Sequence, residues 1–128
     1  MTANQLYEAA LALMIESTAT AGDYNDFALP VINSLLAETF SANNALRIKA
    51  GKEELAEIPM LNSMRDEVPY EPILLRTALP YGVCAKLVID DDDMGKVAYY
   101  QNQYVGFVND FVCTVPGVVV DVYGSDGE

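Results

Sequence analysis

Hydrophobic residues recur at helical spacing in four stretches of the chain. Between Ala3 and Ser17, the residues Leu6, Ala10, Leu13 and Met14 form one stripe, widened by Tyr7, Leu11 and Ile15. Apolar positions three and four apart share one face of a helix, so this stretch reads as amphipathic. "TATAGDYND" interrupts it, and Gly22 supplies a helix stop. A second helix is expected from about Asp26 to Ala42, on the spacing of Ala28, Val31, Ile32, Leu35, Leu36 and Thr39. Asp26 is its candidate N-cap, since a carboxylate there accepts from the free N–H groups of the first turn. Pro30 then falls near the end of the first turn, where it is tolerated or causes a kink. Asn33 is the polar exception near this face and reads as an exposed or capping amide at least as readily as a functional one.

The pattern dissolves between Ser41 and Pro72. "NALRIK" reads as a short strand or an extended loop, and Gly51 as a break. Lys52 to Glu57 forms at most one helical turn before Pro59. "RDEVPYEP" is extended, because a residue preceding proline avoids the helical region. A connection this long inside a small domain is often functional or ordered by a partner.

Pro72 opens a third helix in the favoured first-turn position. "PILLRTALPYGVCAKLVI" is apolar nearly all round, which predicts the central, most buried helix, kinked near its middle by Pro80 and Gly82. A fourth helix runs from about Asp93 to Val112, with Val97, Tyr100, Tyr104, Val108, Phe111 and Val112 facing inward. Tyr99, Tyr100 and Tyr104 read as core residues whose hydroxyls reach the surface.

The chain then changes character. Pro116 and Gly117 end the helical region, and "VVVDVY" is β-branched and aromatic, which favours an extended backbone. An unpaired apolar strand is a liability in a helical domain. This one must lie on its own domain, pair with residues 45–50, or add to another chain. The expected fold is therefore mainly α: a four-helix-bundle-like domain over 1–113 with a long irregular loop at about 41–71, then an extended, strand-prone tail over 114–128. The candidate partner-binding residues are Val115, Pro116, Val118, Val119, Val120, Val122 and Tyr123.

Composition narrows the chemistry. The 128 residues suit one domain and carry 19 acids against 7 bases, a formal net charge of -12. Such a surface repels nucleic acid and anionic membranes, because phosphate contacts need Lys and Arg. There is no histidine, which removes the commonest general base and the commonest zinc ligand. Cys84 and Cys113 sit in apolar stretches without metal-ligand spacing and read as core residues. The first residues lack the basic leader of a signal peptide, and no stretch is apolar enough to span a membrane, so the expected site of synthesis is the cytosol.

The sharpest local feature is the run Asp90–Asp93. A calcium loop starting at Asp90 places acids at positions one and three and glycine at six, but Met94 at five and Gln101 at twelve, where oxygen ligands are required. Starting at Asp91 puts Gly95 at five and Lys96 at six, which also fails. Paired catalytic carboxylates need unlike environments, and four consecutive solvated aspartates share one. The run reads as a helix–helix turn in which one of Asp91 to Asp93 caps the fourth helix. Without a nucleophile motif or a phosphate-binding glycine loop, the chain is expected not to be an enzyme and to need no cofactor or metal.

"RTALPYGVCAKLVIDDDDMGKVAYYQNQYVGFV" resembles head–tail connector (adaptor, or head-completion) proteins of tailed phages. There, a small-residue helix leads through an acidic turn to an aromatic helix. "DYNDFALPVINSLLAETF" is similar to that family's early helix, with an Asn before "LLAE". The resemblance covers most of residues 20–112 and lies in the order of elements rather than in a fixed signature. It implies a helical subunit of a ring, often a dodecamer, below the portal protein. The ring extends the DNA channel and offers a platform to other neck or tail proteins. It further implies a location in the virion neck, DNA passing without specific binding, and a loop or C-terminal segment that clasps the portal or a neighbouring copy. The tail matches no family signature. The competing expectation is an acidic decoy that occupies a basic, DNA-binding protein.

Overall fold

A computed structural model describes residues 1–89 and 93–113, apart from the Cys113 side chain. Six helices form a mainly α-helical domain: α1 (Ala3–Leu13), α2 (Tyr24–Glu38), α3 (Phe40–Lys49), α4 (Pro72–Arg76), α5 (Ala78–Leu87) and α6 (Met94–Cys113). No sheet forms among the described residues; a lone antiparallel bridge joins Thr2 to Glu67.

Local sequence explains most helix ends. Thr2 and Gln5 make a reciprocal capping box at the start of α1: the Gln5 N–H donates to Thr2 Oγ1 (3.1 Å) and the Thr2 N–H to Gln5 Oε1 (2.9 Å). The helix ends at Leu13, short of the expected Ser17. There Ile15 turns to φ 57°, its N–H donating to the Ala12 carbonyl and that of Glu16 to the Leu11 carbonyl. This is a Schellman ending with a β-branched residue where glycine is usual. The end of α3 has the same bonding with the usual residue: Gly51 at φ 80° donates to Ile48, and Lys52 to Arg47. The break expected at Gly51 is thus present.

Other expectations are corrected. The stretch "NALRIK" is neither strand nor loop, because it lies within α3, so the irregular connection begins only after Lys49. Thr39 separates α2 from α3, fully buried, with its hydroxyl donating to the Leu35 carbonyl (2.7 Å). Second, α2 begins at Tyr24, so the N-cap is Asp23 and Asp26 stands in the first turn. Pro30 consequently lies inside the helix, on its exposed side, where water can serve the carbonyl that its missing N–H leaves free. Third, the third helix breaks before Pro80, at Thr77 (φ -117°, ψ -77°), giving α4 and α5. A proline cannot donate to the carbonyl four residues earlier, and its ring clashes with that carbonyl, so a new helix starting just before Pro80 accommodates it without that conflict. Residues Lys52–Glu57 form no helical turn.

The centre of the domain is α5, as its all-round apolar sequence predicts. Ala78, Leu79, Pro80, Gly82, Val83, Cys84, Ala85 and Leu87 are buried, and the helix packs against α1, α2, α4 and α6. Gly82 permits the closest approach. A Cβ there would lie 2.8 Å from a Leu35 methyl and 2.9 Å from the Tyr104 ring. Around this centre, Leu6, Leu11, Ile32, Leu35, Leu36, Leu74, Leu79, Val83 and Val88 are almost completely sealed from solvent.

The connection from residue 50 to 71 has little regular structure of its own, and asparagines fix it to the helices. Asn33 is not a capping amide; its Nδ2 donates to the Leu61 carbonyl (3.0 Å) and its Oδ1 accepts from the Leu61 N–H (2.8 Å). Asn44 treats Leu55 in the same way, at 3.3 and 2.9 Å. Asn43 accepts from the Glu71 N–H at 2.7 Å. An amide side chain holds an NH2 donor group beside a carbonyl acceptor in a fork, so it can pair with a backbone residue as a neighbouring strand would.

Candidate functional site

The tail residues singled out from sequence, Val115 to Tyr123, lie outside the described residues. One of the three options for the tail is removed nonetheless. Residues 45–50 cannot serve as its strand partner while 45–49 are in α3 and the Ala50 N–H caps that helix, because their backbone groups are already committed.

Asp90, Asp91 and Asp92 also lie outside the described residues, but Asp93 is described. Its Oδ1 accepts from the Lys96 N–H at 3.0 Å, the N-cap bond expected of one member of the run.

The aromatic residues of α5 and α6 divide between core and surface. Tyr100 and Tyr104 are buried; their hydroxyls donate to the Leu13 carbonyl (3.2 Å) and to Glu38 Oε1 (2.8 Å). Glu38 Oε2 in turn meets Lys86 Nζ at 2.6 Å, so α2, α5 and α6 are tied through one carboxylate. Burial, reinforced by the Glu38 carboxylate, pushes the Tyr104 hydroxyl well above the usual phenol range. Tyr99 is instead 52 % exposed and meets Tyr81 edge-on, with centroids 6.2 Å apart. Tyr81 stacks on Phe107 at 6.0 Å, and Phe107 on Phe111 at 6.3 Å.

Cys84 is a core residue, as expected. Its Sγ donates to the Ala10 carbonyl at 3.1 Å, and burial pushes the thiol up to about 12. A thiol that holds its proton is a poor nucleophile and a poor metal ligand.

Two surfaces stand out. The first is the outer face of α6, where Gly95, Ala98, Tyr99, Asn102, Val105, Gly106 and Asn109 are all exposed and all uncharged. Gly95, Ala98, Asn102, Val105 and Asn109 follow the alternating three- and four-residue spacing of a helix–helix seam. Beside the seam, Asn102, Gln103, Gly106, Phe107 and Asp110 surround a depression of about 210 Å³. The charged residues of this helix, Lys96 and Asp110, lie off the seam. The spacing was visible in the sequence, but which face is left uncovered follows only from how α5 and α3 pack on α6.

The second surface is a groove of about 480 Å³ between the start of α1, the extended residues Val68 and Tyr70, and α4. Val68, Tyr70 and Leu75 form its floor, and Pro72, Gln5, Met1 and Arg76 line the rest. Sequence reading missed it, because its walls come from three distant segments and share no motif. The Tyr70 hydroxyl is not available to a ligand there, since it donates to the Leu36 carbonyl.

Among the described residues, no group of three or more acidic or cysteine side chains is placed to hold a metal ion. Among the described side chains, Asn43 Nδ2 is buried without a hydrogen-bond partner. No known protein family, no curated protein and no solved structure matches this chain.

Proposed function

We propose that this chain is a structural head–tail connector subunit of a tailed bacteriophage, which assembles as a ring below the portal, extends the DNA channel and offers a platform for tail attachment. The observation that carries the reading is the uncharged seam along the exposed face of α6, Gly95, Ala98, Asn102, Val105 and Asn109, in a chain of net charge -12. Copies of so acidic a protein repel one another wherever charged faces meet, and the repulsion is screened only beyond about 10 Å at ordinary salt. A neutral seam at helix–helix spacing, with Gly95 and Ala98 at one end, is a face on which two copies can approach without charge repulsion. Val115, Pro116, Val118, Val119, Val120, Val122 and Tyr123 then serve as the clasp to the portal or the next copy, by strand addition or by filling a groove. The acidic surface would let DNA pass without sticking. The subunit acts as a scaffold, not an enzyme, and its place is the virion neck.

The test is a binding assay against the portal protein encoded in the same genome, imaged by electron microscopy. A ring stacked on the portal's narrow end is the expected result. Asn102→Arg, on the seam, should leave the fold intact and abolish the ring. No complex across a range of salt and protein concentrations would reject the reading. Salt-sensitive capture of a basic DNA-binding protein would favour the acidic decoy instead.

A further inference from the structure

The groove beside α4 has a floor but no occupant among the described residues. Its apolar floor is formed by Val68, Tyr70 and Leu75, and Arg76 stands at its edge. No carboxylate lines it, in a chain where acids outnumber bases 19 to 7. The two acids nearest in sequence are committed elsewhere: Glu71 to Arg47 and Lys52, Glu67 to the amino end of Met1. Arg76, like Lys49 and Arg65, is exposed and makes no ion pair with a described residue, and of these three only Arg76 lines the groove. The groove therefore suits an extended apolar segment that carries negative charge.

We infer that in the free protein this groove is filled by residues 114–128 of the same chain. Three observations select that occupant. The segment combines Val118, Val119, Val120 and Val122 with three acids, Asp121, Asp126 and Glu128, and has no base, so it complements both the floor and Arg76. It also starts at the correct end of the domain. Cys84 lies near Lys96, Gly82 against Tyr104 and Tyr81 against Phe107, so α6 runs back toward the start of α5, which adjoins α4 and the groove. Finally, 15 residues reach up to roughly 50 Å when extended, further than the roughly 30 Å length of the 20-residue α6. Tethering raises the local concentration of the tail to the millimolar range, which favours its own groove over that of another molecule. The arrangement covers an apolar, β-branched segment that would otherwise invite association with another chain. It does not depend on the connector reading; where that reading holds, the tail leaves its groove when it clasps a partner.

The test is amide hydrogen exchange on the full-length protein. The amides of residues 118–123 should exchange at least about tenfold more slowly than an unstructured chain, equally at low and high protein concentration. Arg76→Glu should return them to unstructured rates, while Lys49→Glu, an exposed cation on α3, should not. A Val118→Asp, Val120→Asp double variant removes the apolar contact without touching the helical core and should also abolish protection. Unstructured rates in the unmodified chain would overturn the inference. So would protection that survives Arg76→Glu, or that grows with concentration, which marks a tail bound to another copy. None of these outcomes bears on portal binding, so the two readings fail separately.

Discussion

Asn33 grips Leu61 across 28 positions of sequence, its side-chain amide answering both the N–H and the carbonyl of that residue at 2.8 and 3.0 Å. Asn44 repeats the grip on Leu55. These contacts let a connection without helix or strand lie fixed against the domain, with its own Leu61 and Val68 buried.

Replacing Asn33 by Ala should cost about 1–3 kcal/mol, since it strands two partly buried backbone groups. Asn44→Ala should act similarly at Leu55. Urea unfolding measures the loss, and limited proteolysis should show new cleavage between residues 53 and 66. Unchanged stability in both variants would mean that water replaces the amides without cost.

Gly82→Ala sets two effects against each other. Alanine in a helix interior gains about 1 kcal/mol over glycine. Here its methyl would sit 2.8 Å from Leu35 and 2.9 Å from the Tyr104 ring, walls contributed by two different helices. Overpacking of this kind costs about 1–3 kcal/mol, so the variant should be less stable on balance. Loss of the Tyr104–Glu38 bond should accompany it and would show in the tyrosine absorbance titration. A rise in melting temperature would show that α6 can move away freely.

Ile15→Gly should stabilise the protein. The Ile15 side chain is 94 % exposed, so it contributes almost no burial, while its φ of 57° places a β-branched residue in the left-handed region. That conformation costs about 1–2 kcal/mol for a residue with a Cβ. Part of the gain is offset by the larger entropy that glycine loses on folding. A net gain of about 0.5–1 kcal/mol is expected, seen as a melting temperature higher by a few degrees. A lower melting temperature would mean that Ile15 makes a contact with residues outside those described.

Stability should fall in alkaline solution, starting near pH 9. Burial raises the Cys84 thiol from about 9 to about 12, so between these values the folded chain keeps a proton that the unfolded chain releases. Its contribution is therefore complete below pH 9 and is lost as pH rises toward 12, by about 1.4 kcal/mol per unit at most. Tyr70 and Tyr104, also raised by burial, add the same sign above pH 10. In Cys84→Ala the decline should begin about one pH unit later. A flat urea midpoint from pH 8 to 11 in the unmodified chain would contradict the buried-thiol account. In a Cys113→Ser background, Cys84 should also resist thiol reagents until the protein unfolds.

Some elements were readable because their cause is local. The all-round apolar composition of "ALPYGVCAKL" places α5 at the centre, since no face of it could be left in water. Pro72 as a starter, Gly51 as a stop and an aspartate cap on α6 follow from backbone chemistry within a few residues. The misreadings have equally physical causes. "NALRIK" has weak helical patterning because its first residue, Asn44, and the preceding Asn43 are polar yet buried, their side-chain oxygens accepting from the backbone of a distant segment. Ile15 carries no sign of a left-handed turn, because any residue can be forced there when the bonds on either side gain more than the Cβ costs.

Helical class, the central helix, the acidic surface and the lack of histidine chemistry are properties of residue type and spacing, and one chain read by itself contains them. The clamp of Asn33 on Leu61, the need for Gly82 beneath Tyr104, the groove under α4 and the bare face of α6 are different in kind. Each depends on which distant segments meet, and short-range periodicity holds no record of that. Packing alone chose which apolar positions are covered and which remain open to a partner.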